Sequence, residues 1–189
     1  MEESKLNMTK LVLSLICILL LVLDNSSMPF FSIHGAYPST LFTFAIIYAL
    51  LKDKKEAVFI GVVSGMLQDI YFFQGFGINS LINLFLCLLA STIGDSIVKN
   101  KRLVPTISIF IITIIKYVLI FVIFYLIDIK VDFDIMKFLI SALENAILLF
   151  FFYKVVSKKI ENNNLNQQWR FKWQEITLIL KKQKQGMIS

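Results

Sequence analysis

Apolar residues along the chain gather into six blocks separated by short polar breaks, at about 9–30, 37–51, 57–73, 77–98, 105–127 and 136–156. A helix that crosses the hydrocarbon core of a bilayer needs about 20 mostly apolar residues. The fifth and sixth blocks meet that length in full, while the second and third are short and extend into their flanks. The first holds the run 11-LVLSLICILLLVL-23, which by length alone also suits a signal-peptide core. The residues after it, Asp24-Asn25-Ser26-Ser27-Met28-Pro29, offer no small-x-small cleavage site, so the block is read as a retained helix. The pattern predicts an all-α polytopic membrane protein, a bundle of six transmembrane helices within residues 1–159.

Basic residues set the expected orientation, because cytoplasmic segments are enriched in Lys and Arg. Of the 19 Lys and Arg, all but Lys116, Lys130 and Lys137 fall at the termini or in alternate breaks. Both termini are therefore expected in the cytoplasm. The opposite breaks carry Asp24, Asp128, Asp132 and Asp134. Beyond the sixth block, the tail at 160–189 opens with the polar linker 161-ENNNLNQQ-168. Leu165, Trp169, Trp173, Ile176 and Leu180 then recur at helical spacing, which predicts an amphipathic helix over about 165–185. With Arg170, Lys172, Lys181 and Lys182 close by, it suits a helix lying on the inner leaflet of the bilayer. A docking helix for a cytoplasmic partner is the other reading.

Polar residues inside the blocks mark faces turned away from lipid. In the third block Ala57, Gly61, Gly65 and Asp69 repeat every four residues and share one helical face, with Ser64 and Gln68 beside it. Small residues at that spacing let a second helix approach closely. Gln74-Gly75-Phe76-Gly77 then reverses the chain. Counting outward from Gln74 puts Asn79 level with Asp69 and Asn83 one turn deeper. A helical hairpin follows, with Gly61, Gly65, Asp69, Gly75 and Gly77 as its packing side and Asp69 hydrogen-bonded to Asn79 or Asn83. That side is either glue for the hairpin or part of a partner or ligand surface. Lys116 stands at the middle of the fifth block and Glu144 near the middle of the sixth, with Asn145 next to it. Similar depth predicts a buried Lys116–Glu144 pair, since a lone charge at that depth is costly.

Composition agrees with a membrane protein: 57% of the 189 residues are hydrophobic and 17% charged, against about half and a quarter in soluble domains. The net charge of +6 is spread between apolar blocks, and no nucleic-acid-binding motif is present. Cys17 and Cys87 form no CxxC or disulfide framework. His34, the only histidine, sits in a loop, and no HExxH, GxSxG or Walker A motif occurs. No catalytic residue, metal ligand or cofactor is expected, and the chain is not read as an enzyme.

Gly61-x-x-x-Gly65-x-x-x-Asp69, the aromatic stretch after it, and Gly75 and Gly77 together resemble the MreD family of rod-shape-determining proteins. Pro38 at the start of the second block and the turn 52-KDKKEA-57 fit as well. The resemblance covers about residues 9–157. It implies a non-catalytic scaffold subunit of the bacterial elongation complex in the cytoplasmic membrane. The implied partners are MreC, the RodA glycosyltransferase with its transpeptidase partner, and the actin-like MreB filament, in support of lateral peptidoglycan synthesis. The family is similar in fold to the substrate-binding subunits of energy-coupling-factor vitamin transporters, which supplies the alternative function. Against that alternative, 11-LVLSLICILLLVL-23 offers only Ser14 and Cys17 as small or polar positions for docking a coupling subunit.

Overall fold

A computed structural model describes the backbone of residues 2–71, 76–96, 103–128 and 134–186, and within these the side chains of all but 2–9, 96 and 161–186. The described residues form six α-helices and no strand: α1 (Glu2–Ser26), α2 (Thr40–Leu51), α3 (Lys54–Tyr71), α4 (Ile78–Ser96), α5 (Leu103–Leu126) and α6 (Ile135–Gly186). A short 3-10 turn, Met28–Phe31, and a bridge between Ile33 and Ala36 lead from α1 into α2.

The shortest helix organises the others. α2 has 12 residues, and all but Thr40 and Phe44 are buried. A helix that is apolar on every side has no solvent or lipid face to prefer and is driven to the centre. α2 contacts each of the other five helices. Around it, α1, α3, α4, α5 and α6 stand in that order, each against the next. Among the described residues α6 and α1 make no close backbone contact, so the ring is open at one seam.

The closest pair in the ring is α3 and α4, and glycine explains it. A Cβ on Gly61 would lie 2.9 Å from the Asn83 carbonyl oxygen, and one on Gly65 would lie 2.6 Å from that of Asn79. Neither position has room for a side chain. Gly94 does the same for α4 against α2, where a Cβ would collide with the Leu50 carbonyl. Nothing in the local spacing around Gly94 marks it in advance.

Three helical segments among the described residues are long and apolar enough to cross a membrane: Ile78–Asp95, Leu103–Leu126 and Ile135–Ile160. α6 departs from expectation. The stretch 161–168, expected as a linker, lies inside a single helix of 52 residues. Asn and Gln cost little in a helix interior, and no Gly or Pro interrupts α6 before Gly186.

The glycine contacts order two substitutions. Gly65→Ala should cost about 1–3 kcal/mol, the usual range for overpacking, and Gly61→Ala less, because its neighbours stand farther off. Thermal melts of both variants in one detergent test this, and the reverse order would contradict the geometry.

Candidate functional site

The bundle's polar side chains meet at the end where α2, α4 and α6 begin. The first four N–H groups of any helix lack a partner within it. For α2 that partner is Asp24, a buried residue in the last turn of α1. Its carboxylate accepts from the Thr40 N–H at 2.6 Å, the Leu41 N–H at 3.1 Å and the Ser39 hydroxyl at 2.9 Å, and also from the Thr40 hydroxyl. The Ser39 hydroxyl in turn accepts from the Phe42 N–H. Asp69, buried in α3, serves α4 likewise, accepting from the N–H groups of Asn79 and Ser80 at 2.9 Å each. Asp134 accepts from the N–H groups of Met136 and Lys137 at the start of α6. A carboxylate also suits the positive end of a helix dipole.

Beneath these caps Gln68 forms a junction. Its Oε1 accepts from Asn83 Nδ2 at 3.0 Å and from Lys116 Nζ at 2.8 Å, and its Nε2 donates to the Ser39 hydroxyl at 3.3 Å. Asn83 also donates to Ser64 Oγ. Asn145 Oδ1 accepts from the Ser39 N–H at 2.9 Å and from the Thr43 hydroxyl at 3.4 Å. Its Nδ2 donates to Thr113 Oγ1 at 3.5 Å. The Lys116 ammonium lies 4.0 Å from the centroid of the Phe42 ring, close enough for a cation–π attraction. Every helix contributes to this arrangement. A cavity of about 580 Å³ opens beside it, with Asp24, Ser39, Gln68 and Lys116 in its wall. Among the described residues no three His, Cys, Asp or Glu side chains come together as metal ligands.

A family model described as rod shape-determining protein MreD matches residues 5–159. The chain belongs to the MreD family. No curated protein and no solved structure matches it. Membership in the MreD family carries a role in determining rod shape, and the three long apolar helices make this a membrane protein. The MreD match takes in the whole polar network and ends beside Ile160, where the apolar part of α6 ends.

In this MreD-family chain the expected residues are placed as follows. Gly61, Gly65 and Asp69 all face α4, but Asp69 holds the backbone of Asn79 rather than its side chain. Asn83 turns to Ser64 and Gln68 instead of Asp69. Gly77, just before α4, has a φ of +98°, and a Cβ there would meet nothing within 4 Å. Its contribution is backbone freedom at the reversal, not close packing. Gly75 lies outside the described residues. Trp169, Trp173, Ile176 and Leu180 fall within the helical backbone of α6, and their side chains lie outside the described ones.

The expected Lys116–Glu144 pair is not formed. Lys116 goes to Gln68, and among the described residues neither carboxylate oxygen of Glu144 has a hydrogen-bond partner. The reason is rotation about the helix axis. Ser141, Ala142, Asn145, Ala146 and Leu149 are the buried positions of this part of α6, and Glu144 stands about 100° round from Asn145. Depth can be read from a sequence position, but the direction a residue faces depends on which of its neighbours pack inward. Asp24, Ser39 and Thr40 were not anticipated as site residues. The signal was present, since Pro38-Ser39-Thr40 reads as a helix start and Asp24 ends the preceding apolar block.

These contacts predict where energetic coupling lies. Lys116→Ala and Gln68→Ala should be non-additive by at least about 0.5 kcal/mol, as for residues sharing a hydrogen bond. Lys116→Ala and Glu144→Ala should add. Unfolding of the single and double variants in detergent separates the two, and additive losses for Lys116 with Gln68 would count against the network.

Proposed function

We propose that the chain is a non-catalytic scaffold subunit of the bacterial rod-shape and elongation complex, supporting lateral peptidoglycan synthesis. In this reading it crosses the cytoplasmic membrane several times with both termini in the cytoplasm. It binds MreC and, with it, RodA and its transpeptidase partner, and it meets the MreB filament directly or through them. The observation that carries the reading is the family match across residues 5–159, which includes part or all of every helix.

The distribution of polar and apolar groups supports assembly as the mechanism. Polar side chains are turned inward and bonded from helix to helix, so they fix how the helices are arranged. Outside, Leu11, Leu15, Ile18 and Val22 form an exposed stripe along α1 at helical spacing. In a bilayer such a surface gains nothing from the hydrophobic effect, and a partner helix is held by close packing against it. The far part of α6, beyond Ile160, extends the chain past the apolar segment toward partners in the cytoplasm. The fold likeness to vitamin-transporter subunits remains an implication of the family.

A tagged full-length chain, purified from its native membrane in mild detergent and examined by mass spectrometry, should bring down MreC together with RodA and its transpeptidase. Recovery of a transporter coupling subunit with paired ATPases would overturn the scaffold reading.

A further inference from the structure

The 580 Å³ cavity lies where the ring of helices is open. Its wall crosses the seam, with Leu21 and Asn25 from α1 on one side and Phe138 and Ser141 from α6 on the other. Two amines, Lys116 and Lys137, lie in its wall. Lys116 is 7% exposed. Lys137 is exposed, and its side chain rests on the turn at Gly35, where a Cβ would lie 3.0 Å from Lys137 Cε. Among the described residues of the wall the one carboxylate, Asp24, is engaged by the donors at the start of α2. Between the amines the surface is mainly aromatic, from Tyr37, Tyr71, Tyr117, Phe121 and Phe124.

Two physical points define what fits. An ammonium has three donors, and the hydrogen bond made by Lys116 goes to an uncharged amide oxygen. Among the described residues Lys116 is held by an amide and a ring face, and a buried cation so placed gains most from an oxyanion, whose charge-assisted hydrogen bonds are roughly twice as strong as neutral ones. A cavity of this size, largely apolar with polar groups set in its wall, also has the form of a small-molecule site.

We infer that this cavity binds an anionic amphiphile, taking a carboxylate or phosphate group onto Lys116. The apolar body lies along the aromatic wall and enters from the bilayer through the seam between α1 and α6. Lys137 gives the exposed end the same sign of charge and favours the approach of an anion. The inference rests on the cavity and not on the identity of any protein partner.

The test uses the full chain in phosphatidylcholine nanodiscs with a palmitate probe carrying a photoactivatable diazirine on its chain. Labelled peptides should map to 117–124 and 137–141, and excess palmitate should remove the label while palmityl alcohol does not. Lys116→Gln should weaken binding by about tenfold or more, the effect of losing a hydrogen bond to a charged group. Lys137→Gln, at an exposed position outside the buried network, should weaken it severalfold in a protein that melts like the parent. Displacement by palmitate but not by inorganic phosphate assigns the ligand to the membrane. Displacement by inorganic phosphate as well would overturn the membrane route while leaving an anion site. Labelling confined to lipid-facing residues, equal competition by palmityl alcohol, or undiminished binding by both well-folded variants would overturn the site itself.

Discussion

The free N–H groups at the start of α2 impose the constraint on which the rest of the bundle depends. Twelve residues of helix rise about 18 Å, well short of a hydrocarbon core of roughly 30 Å. α2 is enclosed by the other helices, and each of these donors left without a partner away from water costs several kcal/mol. Asp24 meets that demand from the end of α1, and Ser39 meets it from within the turn. The position of α1 against α2 is therefore set by polar atoms and not by apolar packing alone. α4 repeats the solution with Asp69 from α3. Two neighbouring helices are thus each tied at their ends to the helix before them.

Gln68 and Asn145 extend the same logic sideways. Each is an amide, able to donate and accept, and each joins residues from several helices that no apolar contact would orient. Between apolar helices in lipid, sliding or rotation changes little energy, because one apolar neighbour replaces another. A buried amide with fixed partners penalises such slips. The network therefore contributes mainly to uniqueness of arrangement, the property a subunit needs if other proteins are to recognise its surface.

What could be read from the chain alone follows from which signals carry direction. The four-residue repeat of Gly61, Gly65 and Asp69 specifies one face, and that face meets α4. α2 is apolar on all sides, so its sequence holds no azimuth, and its central place emerges only from the assembled helices. Lys116 and Glu144 reveal their depth but not their rotation. Gly94 is a single glycine without a repeat, and its contact with Leu50 is legible only once α2 and α4 are side by side. Each of the six apolar blocks overlaps one α-helix, although α1 begins and α6 ends well outside its block. The departure lies at 161–168, where polar composition suggested a break that helix propensity does not demand.

α6 belongs to two parts of the molecule at once. Its first turns form one edge of the open seam, and the same helix runs on for 52 residues, about 78 Å. A stiff rod anchored at one end acts as a lever. A tilt of about 10° at the apolar segment carries the far tip through roughly 7 Å over the length beyond Ile160. Widening or narrowing at the seam is thereby converted, by geometry alone, into a larger excursion at the far end of α6.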